Sequence, residues 1–414
     1  MLSPDQALAY DEAMKGNNIF LTGSAGVGKS YTLGIICNGL RTRRKKVIPT
    51  ASTGIAALNI GGRTLHSYSR LGIATESKEV LLTKSRKRPG CWKHIDVLVI
   101  DEISMLSADF FEKVEYVARM IRNPSRPFGG IQIIAVGDFC QLPPVNGSFC
   151  FNTETWQFCK FFTVQLTTVH RQSNKTFVNI LEKVRRGIVD KEVVDVLNSR
   201  VGVNLDTSNG IEPSLLFPLR KQVEDINSRR LEMIPGDPVV FEPKIKVNKR
   251  GEDVPDFLIK NATEAITKNI QCDHTLPLKI GAQVLLVVNL SPECGLVNGS
   301  RGVITSVDKY GPVVLFESSI SGPINMEPHT WTQKEPWGSV ELTQFPLRLA
   351  WAVTIHKSQG MSLDKAEIDL SDGIFADGQA YVALSRVRSL EGLTITNFIP
   401  NSIRANSQVK TFYS

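Results

Sequence analysis

The chain has 414 residues, 42% hydrophobic and 21% charged, which suits two or three globular domains and excludes a disordered, collagen-like or disulfide-stapled polypeptide. Seven cysteines at 37, 91, 140, 150, 159, 272 and 294 form no CxxC pair, so free thiols in a reducing compartment are expected and zinc is not. Lys and Arg outnumber Asp and Glu by 48 to 41, and most of the surplus sits in residues 63–94, where eight basic residues stand against two acidic ones.

In chain order, residues 18–23 form a short apolar run ending in a glycine-rich turn, and a helix is expected from about 29 to 40. Strands are expected at 47–51, 94–100 and 131–137. The last two carry continuous Val and Ile rather than alternation, the mark of parallel strands covered on both faces. Ser107 begins a helix with Phe110, Val114, Val117 and Ile121 on one face. A second α/β pattern opens at Ser173, expected to cap a helix that buries Phe177, Ile180, Leu181 and Val184 and stops at Gly187. It continues with a strand at 214–219 and resumes with strands at 347–354, 365–370 and 392–397 and a helix at 377–387. Between 245 and 345, Gly and Pro punctuate β-prone runs at 282–288, 302–307 and 312–316, which predicts a β-rich module inserted into the second α/β domain.

The clustered charge of 63–94 suits a polyanion, of which nucleic acid is the commonest, or else a solvated face or import signal. No apolar run of about 18 residues marks a membrane span. The first residues resemble neither a signal nor a transit peptide, so an intracellular protein without a targeting segment, nuclear or in a bacterial cytoplasm or nucleoid, is expected.

Gly23, Ser24, Ala25, Gly26, Val27, Gly28, Lys29 and Ser30 complete a GxxxxGK(S/T) phosphate loop between a predicted strand and helix. Its glycines let backbone N–H groups wrap phosphates at a helix N-terminus. Lys29 is placed to reach the β- and γ-phosphates of ATP and Ser30 to ligate Mg²⁺. Asp101 ends a hydrophobic strand, the position of a carboxylate that holds Mg²⁺, and Glu102 is placed to take a proton from the attacking water. That second acid separates a hydrolytic site from a slow nucleotide switch. Gln141, after the 131–137 strand, can orient the water or sense the γ-phosphate.

The run from Asp101-Glu-Ile-Ser-Met through Arg119-Met-Ile-Arg and Pro127-Phe-Gly-Gly130-Ile-Gln to Gly137-Asp-Phe-Cys-Gln-Leu-Pro-Pro-Val145 resembles the signature of the PIF-type (petite integration frequency) DNA helicases of superfamily 1B. Further segments agree in order: Leu2-Ser-Pro-Asp-Gln6, the phosphate loop, Thr50-Ala-Ser-Thr-Gly-Ile-Ala-Ala57, Thr64-Leu-His66 and Leu166-Thr-Thr-Val-His-Arg171-Gln. Gly295-Leu-Val-Asn-Gly299, Thr354-Ile-His-Lys-Ser-Gln-Gly360 and Tyr381-Val-Ala-Leu-Ser-Arg386-Val-Arg complete the set, so the resemblance spans nearly the whole chain.

The resemblance implies an α/β fold of two RecA-like P-loop motor domains, parallel sheets flanked by helices, with a small wedge insertion in the first and an SH3-like β-rich insertion in the second. The implied boundaries are 1–62 with 95–170 for the first, 63–94 for the wedge, 171–244 with 346–414 for the second, and 245–345 for the insertion. The implied activity is 5′-to-3′ translocation on single-stranded DNA and duplex unwinding, driven by ATP with Mg²⁺ in the cleft between the motor domains. The implied partners are single strands and single-strand/duplex junctions, engaged by a monomer and without a membrane.

The resemblance makes Gln6 the adenine reader, adds Tyr31 and Gly360 to the nucleotide site, and makes Arg171 and Arg386 the two arginines at the γ-phosphate. On the DNA side it implies Thr53, Gly54, Ile55, Thr64, His66, His356, Lys357 and Ser358, with Lys84, Arg86, Lys87 and Arg88 gripping duplex phosphates. Base-stacking aromatics are expected of such a channel, although a core role suits each of Phe139, Phe149 and Trp156 better. A DNA translocase or remodeller that does not unwind, an ATP-gated nucleic-acid binder and a P-loop ATPase without nucleic acid are the alternatives.

Overall fold

In the first half of the chain the continuous apolar runs build one all-parallel sheet of six strands. Its order is Arg63–Thr64, Val47–Ala51, Val97–Asp101, Gln132–Val136, Ile19–Thr22, Phe162–Gln165. The computed structural model describes residues 2–414 except 73, 88, 146, 252, 253, 270–274, 292, 293, 295, 318–321, 336 and 372. Both sheet faces are covered, which is why these strands read as unbroken Val and Ile. One face packs Ile19, Leu21, Val97, Val99, Ile134 and Val136 against Leu33, Ile36 and Leu40 of helix Lys29–Thr42 and Ala9 and Ala13 of helix Pro4–Met14. The other packs Phe20, Leu98, Ile100 and Ile133 against Phe111, Val114 and Val117 of helix Ala108–Arg122, which Ser107 caps through the Phe110 N–H.

The chain divides into two compact units, one running to Arg171 together with Ala376–Gly378 and Ala405–Ser414, the other Gln172–Phe375 with Gln379–Arg404. Residues 405–414 therefore leave the second motor domain to which the sequence reading gave them. The reason is apolar: Phe412 of helix Ser407–Tyr413 packs among Phe20, Phe139, Phe151 and Trp156. Residues 63–94 form a two-residue strand and three short helices, and their Leu65, Tyr68, Leu81, Leu82 and Trp92 join the first unit's core rather than closing one of their own.

In the second unit a four-stranded parallel sheet runs in the order Ala352–Thr354, Ser214–Phe217, Ala366–Leu370, Leu393–Phe398. The segment expected as one strand over 347–354 breaks in two. Leu347–Leu349 pairs antiparallel with Gln283–Leu286, while Ala352–Thr354 joins the parallel sheet. The inserted region holds an antiparallel five-stranded sheet, ordered Ile324–Asn325, Gly311–Phe316, Arg301–Asp308, Gln283–Leu286, Leu347–Leu349. A three-stranded sheet of His329–Glu335, Gly338–Gln344 and Lys244–Lys249 accompanies it. Helix Asp256–Asn269, which the β-rich reading missed, packs on two strands of that smaller sheet. Helix Lys175–Arg185 is capped by Asn174, one residue beyond the expected Ser173.

Candidate active site

Three neighbouring strands of the first unit deliver the nucleotide residues from their C-terminal ends, the edge where open α/β sheets bind ligands. Thr22 runs into the phosphate loop, where Gly23, Gly26 and Gly28 take φ of +137°, +83° and +84°. A side chain on Gly23 would be impossible, since its Cβ would lie 2.4 Å from the Leu166 carbonyl oxygen. Gly28 is the N-cap of the fourteen-residue helix Lys29–Thr42, and no side chain caps it. The first-turn N–H groups of that helix are thus left for an anion.

Lys29 Nζ donates to the Gly23 and Ser24 carbonyls at 2.7 and 2.9 Å, so its ammonium spans the mouth of the loop. Ala25 and Val27 are buried, and Ser30 and Tyr31 are exposed on the first turn. The Cβ position of Gly28 is 3.1 Å from Gln6 Nε2, which puts Gln6 beside the loop. Helix Pro4–Met14 holds Gln6 there through its capping box with Ser3. Backbone bonds from Leu166 N to Thr22 O (2.9 Å) and from His170 N to Gly26 O (2.9 Å) wrap the following segment around the loop.

Asp101 is buried at the end of its strand, and its Oδ1 accepts the Glu102 N–H at 2.9 Å. Burial and the adjacent Glu102 carboxylate push Asp101 up to about 7, against the opposing pull of that N–H and of Lys29. A carboxylate that is costly to ionise beside a phosphate loop is one a divalent cation would neutralise. The hydroxyl of Ser30 and the carboxylate of Asp101 therefore fit Mg²⁺, and the glycine cradle fits a triphosphate. Glu102 takes a left-handed φ of +52°, a conformation that costs a non-glycine residue about 1–3 kcal/mol and is typical of functional turns.

Ser52 holds that turn. Its N–H donates to Asp101 O at 3.0 Å and its hydroxyl to Glu102 O at 2.7 Å. No local pattern marks Ser52, which adjoins Thr53 in the 50–57 segment. The third strand ends at Val136, and Gly137 follows it. There the buried Asp138 accepts the Cys140 N–H on Oδ1 (3.1 Å) and the Gln141 N–H on its backbone carbonyl (3.0 Å), an Asx-type turn that fixes where Gln141 begins. Gln141 itself is buried.

Among the DNA-side residues, Thr53 caps helix Gly54–Asn59 and Thr64 caps helix Leu65–Ser69, so both hydroxyls serve helix starts. Gly54 and Ile55 occupy the first turn of the former. His66 stacks on Phe110 with ring centroids 3.7 Å apart and planes 8° from parallel. Burial holds its imidazole below the ordinary histidine range. Lys84, Arg86 and Lys87 are all exposed, and Lys84 pairs on the surface with Glu76 at 2.6 Å, which offsets part of its charge. Arg88 lies outside the described residues. Phe139, Phe149 and Trp156 are all core residues of one aromatic cluster.

In the second unit, His356 and Lys357 are half-buried on the turn after Ala352–Thr354, with the Lys357 N–H on Thr354 Oγ1 at 3.1 Å. Burial lowers His356 as it does His66. Ser358 does not present the hydroxyl expected of it. It is fully buried and donates to Ile355 O at 2.8 Å, because the turn needs that bond to close. Gly360 takes φ +83° beyond it. Arg386 is buried, with Nε on Val382 O (2.8 Å) and Nη2 on Ser385 Oγ (2.7 Å). Arg171 is half-exposed at the end of the first unit.

Residues 1–195 match the PIF1-like helicase family, and residues 262–307 match the DNA helicase Pif1 2B domain. The chain is 42% identical over its whole length to the ATP-dependent DNA helicase PIF1 of Xenopus laevis, and spans 64% of that protein. It is similar over its full length to the crystal structure of Pif1 helicase from Candida albicans, with 35% identity, a TM-score of 0.77 and 99% of that chain covered. Pif1 helicase from Bacteroides in complex with ADP-AlF3 and single-stranded DNA is 30% identical, with a TM-score of 0.65, all of this chain and 96% of that one covered. On these matches, joined to the phosphate loop and its acidic strand end, the chain belongs to the PIF1-like helicase family.

Proposed function

We propose that this protein is an ATP-dependent DNA helicase that translocates 5′-to-3′ on single-stranded DNA and unwinds duplex at single-strand/duplex junctions. The observation that carries the reading is Ser52. It bonds the backbones of Asp101 and Glu102 and is followed directly by Thr53 and Gly54, so the hydrolytic turn and a DNA-side segment are one hydrogen-bonded piece. A shift in either is felt by the other over one residue.

Bound Mg·ATP supplies the phosphoanhydride to be split and the cation that spreads its charge. Lys29 and the glycine-loop amides hold the phosphates, Ser30 and Asp101 hold the cation, and Gln6 reads the base. Glu102 receives the water's proton on its carboxylate and Gln141 orients that water. The resemblance gives Arg171 and Arg386 the γ-phosphate, where a guanidinium fork suits the charge that develops. DNA is held through its phosphates by Thr53, Gly54, Thr64, Lys357 and the basic cluster, contacts that position a strand without reading sequence. The relative solved with ADP-AlF3 and single-stranded DNA supports this pairing of ligands.

The test is ATP turnover with and without single-stranded oligonucleotide, followed by strand displacement on duplexes tailed at the 5′ or the 3′ end. Stimulated turnover with displacement of the 5′-tailed duplex alone is expected. Stimulation without displacement leaves a translocase, and no stimulation removes the motor.

The basic cluster gives a graded result. Replacing Lys84, Arg86 and Lys87 by Gln should reduce the salt slope of fork binding by about 2, since each phosphate neutralised on duplex adds about 0.9 and Lys84 is already paired with Glu76. Fluorescence titrations at several salt concentrations measure this. An unchanged slope would make the cluster a solvated face.

A further inference from the structure

The last residues of the chain end on two loops that frame the nucleotide site. Helix Ser407–Tyr413 starts at Asn406, whose side chain accepts the Gln408 N–H at 3.0 Å. Phe412 lies on Phe151 with ring centroids 4.4 Å apart and 5.3 Å from Phe139, which fixes the helix end against the core. Tyr413 then places its hydroxyl 2.8 Å from Thr22 Oγ1 and accepts the Phe139 N–H at 3.2 Å. Thr22 is fully buried and is the residue before Gly23, and Phe139 stands two residues before Gln141. One phenol oxygen thus joins the strand end of the phosphate loop to the start of the Gln141 loop.

A second anchor holds the same loop. Asn406 Nδ2 donates to Asp377 Oδ2 at 3.1 Å, and the next residue, Gly378, takes φ +74°. It lies so close to the loop that a Cβ would come within 2.5 Å of the Cys140 carbonyl oxygen and 2.4 Å of that of Gln141. Residues 138–141 are therefore gripped by two segments that come late in the chain. The phenol is half-buried against the core, and a hydroxyl that both donates and accepts is suited to bridge two loops.

We propose that Tyr413 is a positioning residue for ATP hydrolysis: its hydroxyl sets the Gln141 loop against the phosphate loop, so that the Gln141 side chain meets the γ-phosphate end. This rests on the reading of Gln141 given above. Removing the hydroxyl releases the Phe139 N–H and the Thr22 hydroxyl together while the ring and its packing stay.

The experiment compares Tyr413→Phe, Thr22→Val and their double variant with the parent. In nucleotide-free protein, amide hydrogen exchange in the peptide covering 138–141 is expected to speed up in Tyr413→Phe, with the Val97–Asp101 strand unchanged. In DNA-stimulated hydrolysis kcat should fall about tenfold, the scale of one lost hydrogen bond, while ADP affinity stays at the parental value. The double variant should cost no more than Tyr413→Phe alone, because both remove parts of one bridge. Parental exchange in the 138–141 peptide with parental kcat would overturn the proposal. So would equal losses in kcat and ADP affinity, the mark of a general structural role. If Tyr413→Phe does not fold, Thr22→Val reads the same bridge from its other end. A parent that hydrolyses no ATP refutes the proposed function, and the exchange measurement still decides whether Tyr413 holds the loop.

Discussion

Glu102→Gln is expected to lower ATP turnover by about 10²–10⁴-fold, the share a positioned general base contributes, while nucleotide affinity stays within a few-fold of the parent. The substitution keeps the shape of the side chain and removes its charge and its ability to take a proton. Its backbone work is unaffected, since the Glu102 N–H on Asp101 Oδ1 and the Glu102 carbonyl under Ser52 Oγ are main-chain groups. Binding is spared for an electrostatic reason as well. The Glu102 charge is one of the causes that raise Asp101, so neutralising it makes Asp101 easier to ionise and no worse a partner for a cation. Steady-state kcat and ADP affinity measured on the same preparation check the split. Parental turnover would take Glu102 out of the chemistry. A loss confined to affinity would assign it to binding.

What the sequence made legible depended on how local the interactions were. The phosphate loop, Lys29 and Ser30 are contiguous, and Asp101 ends a strand whose five residues are all buried with Glu102 directly after it, so pattern alone marks them. Strand Phe162–Gln165 was missed because it is the edge of its sheet and only Val164 is buried, which leaves no run to read. Residues 347–354 read as one strand because they are uniformly apolar around Arg348, and nothing local marks Ala350 and Trp351 as the point where the chain changes sheets. Ser358 misled because a hydroxyl in a DNA-side motif can equally close its own turn. Ser52 and Tyr413 act across 50 and 391 residues, and no spacing rule connects partners so far apart.

Phe139→Ala tests the other large effect, and it separates core from channel. Phe139 is 1% exposed, with ring centroids 4.7 Å from Phe151, 5.3 Å from Phe20 and Phe412, and 5.7 Å from Trp156. Truncating a buried Phe costs about 3–5 kcal/mol. In a unit of this size that is a fall in melting temperature of roughly 10 °C. A base-stacking residue behaves in the opposite way, since its loss removes about 1–3 kcal/mol of strand binding and leaves the fold alone. The structure favours the first outcome because the ring has partners on several sides and no face turned to solvent. Differential scanning fluorimetry, paired with oligonucleotide titration well below the transition, distinguishes the two. A parental melting point with weakened DNA binding would move Phe139 from the core into the channel. The expected pattern, a lower melting point with DNA affinity nearly kept, has a further consequence for catalysis. The Phe139 N–H is one of the two groups on Tyr413 Oη, so a loosened ring should reach Gln141 through the backbone and lower kcat before it lowers strand affinity.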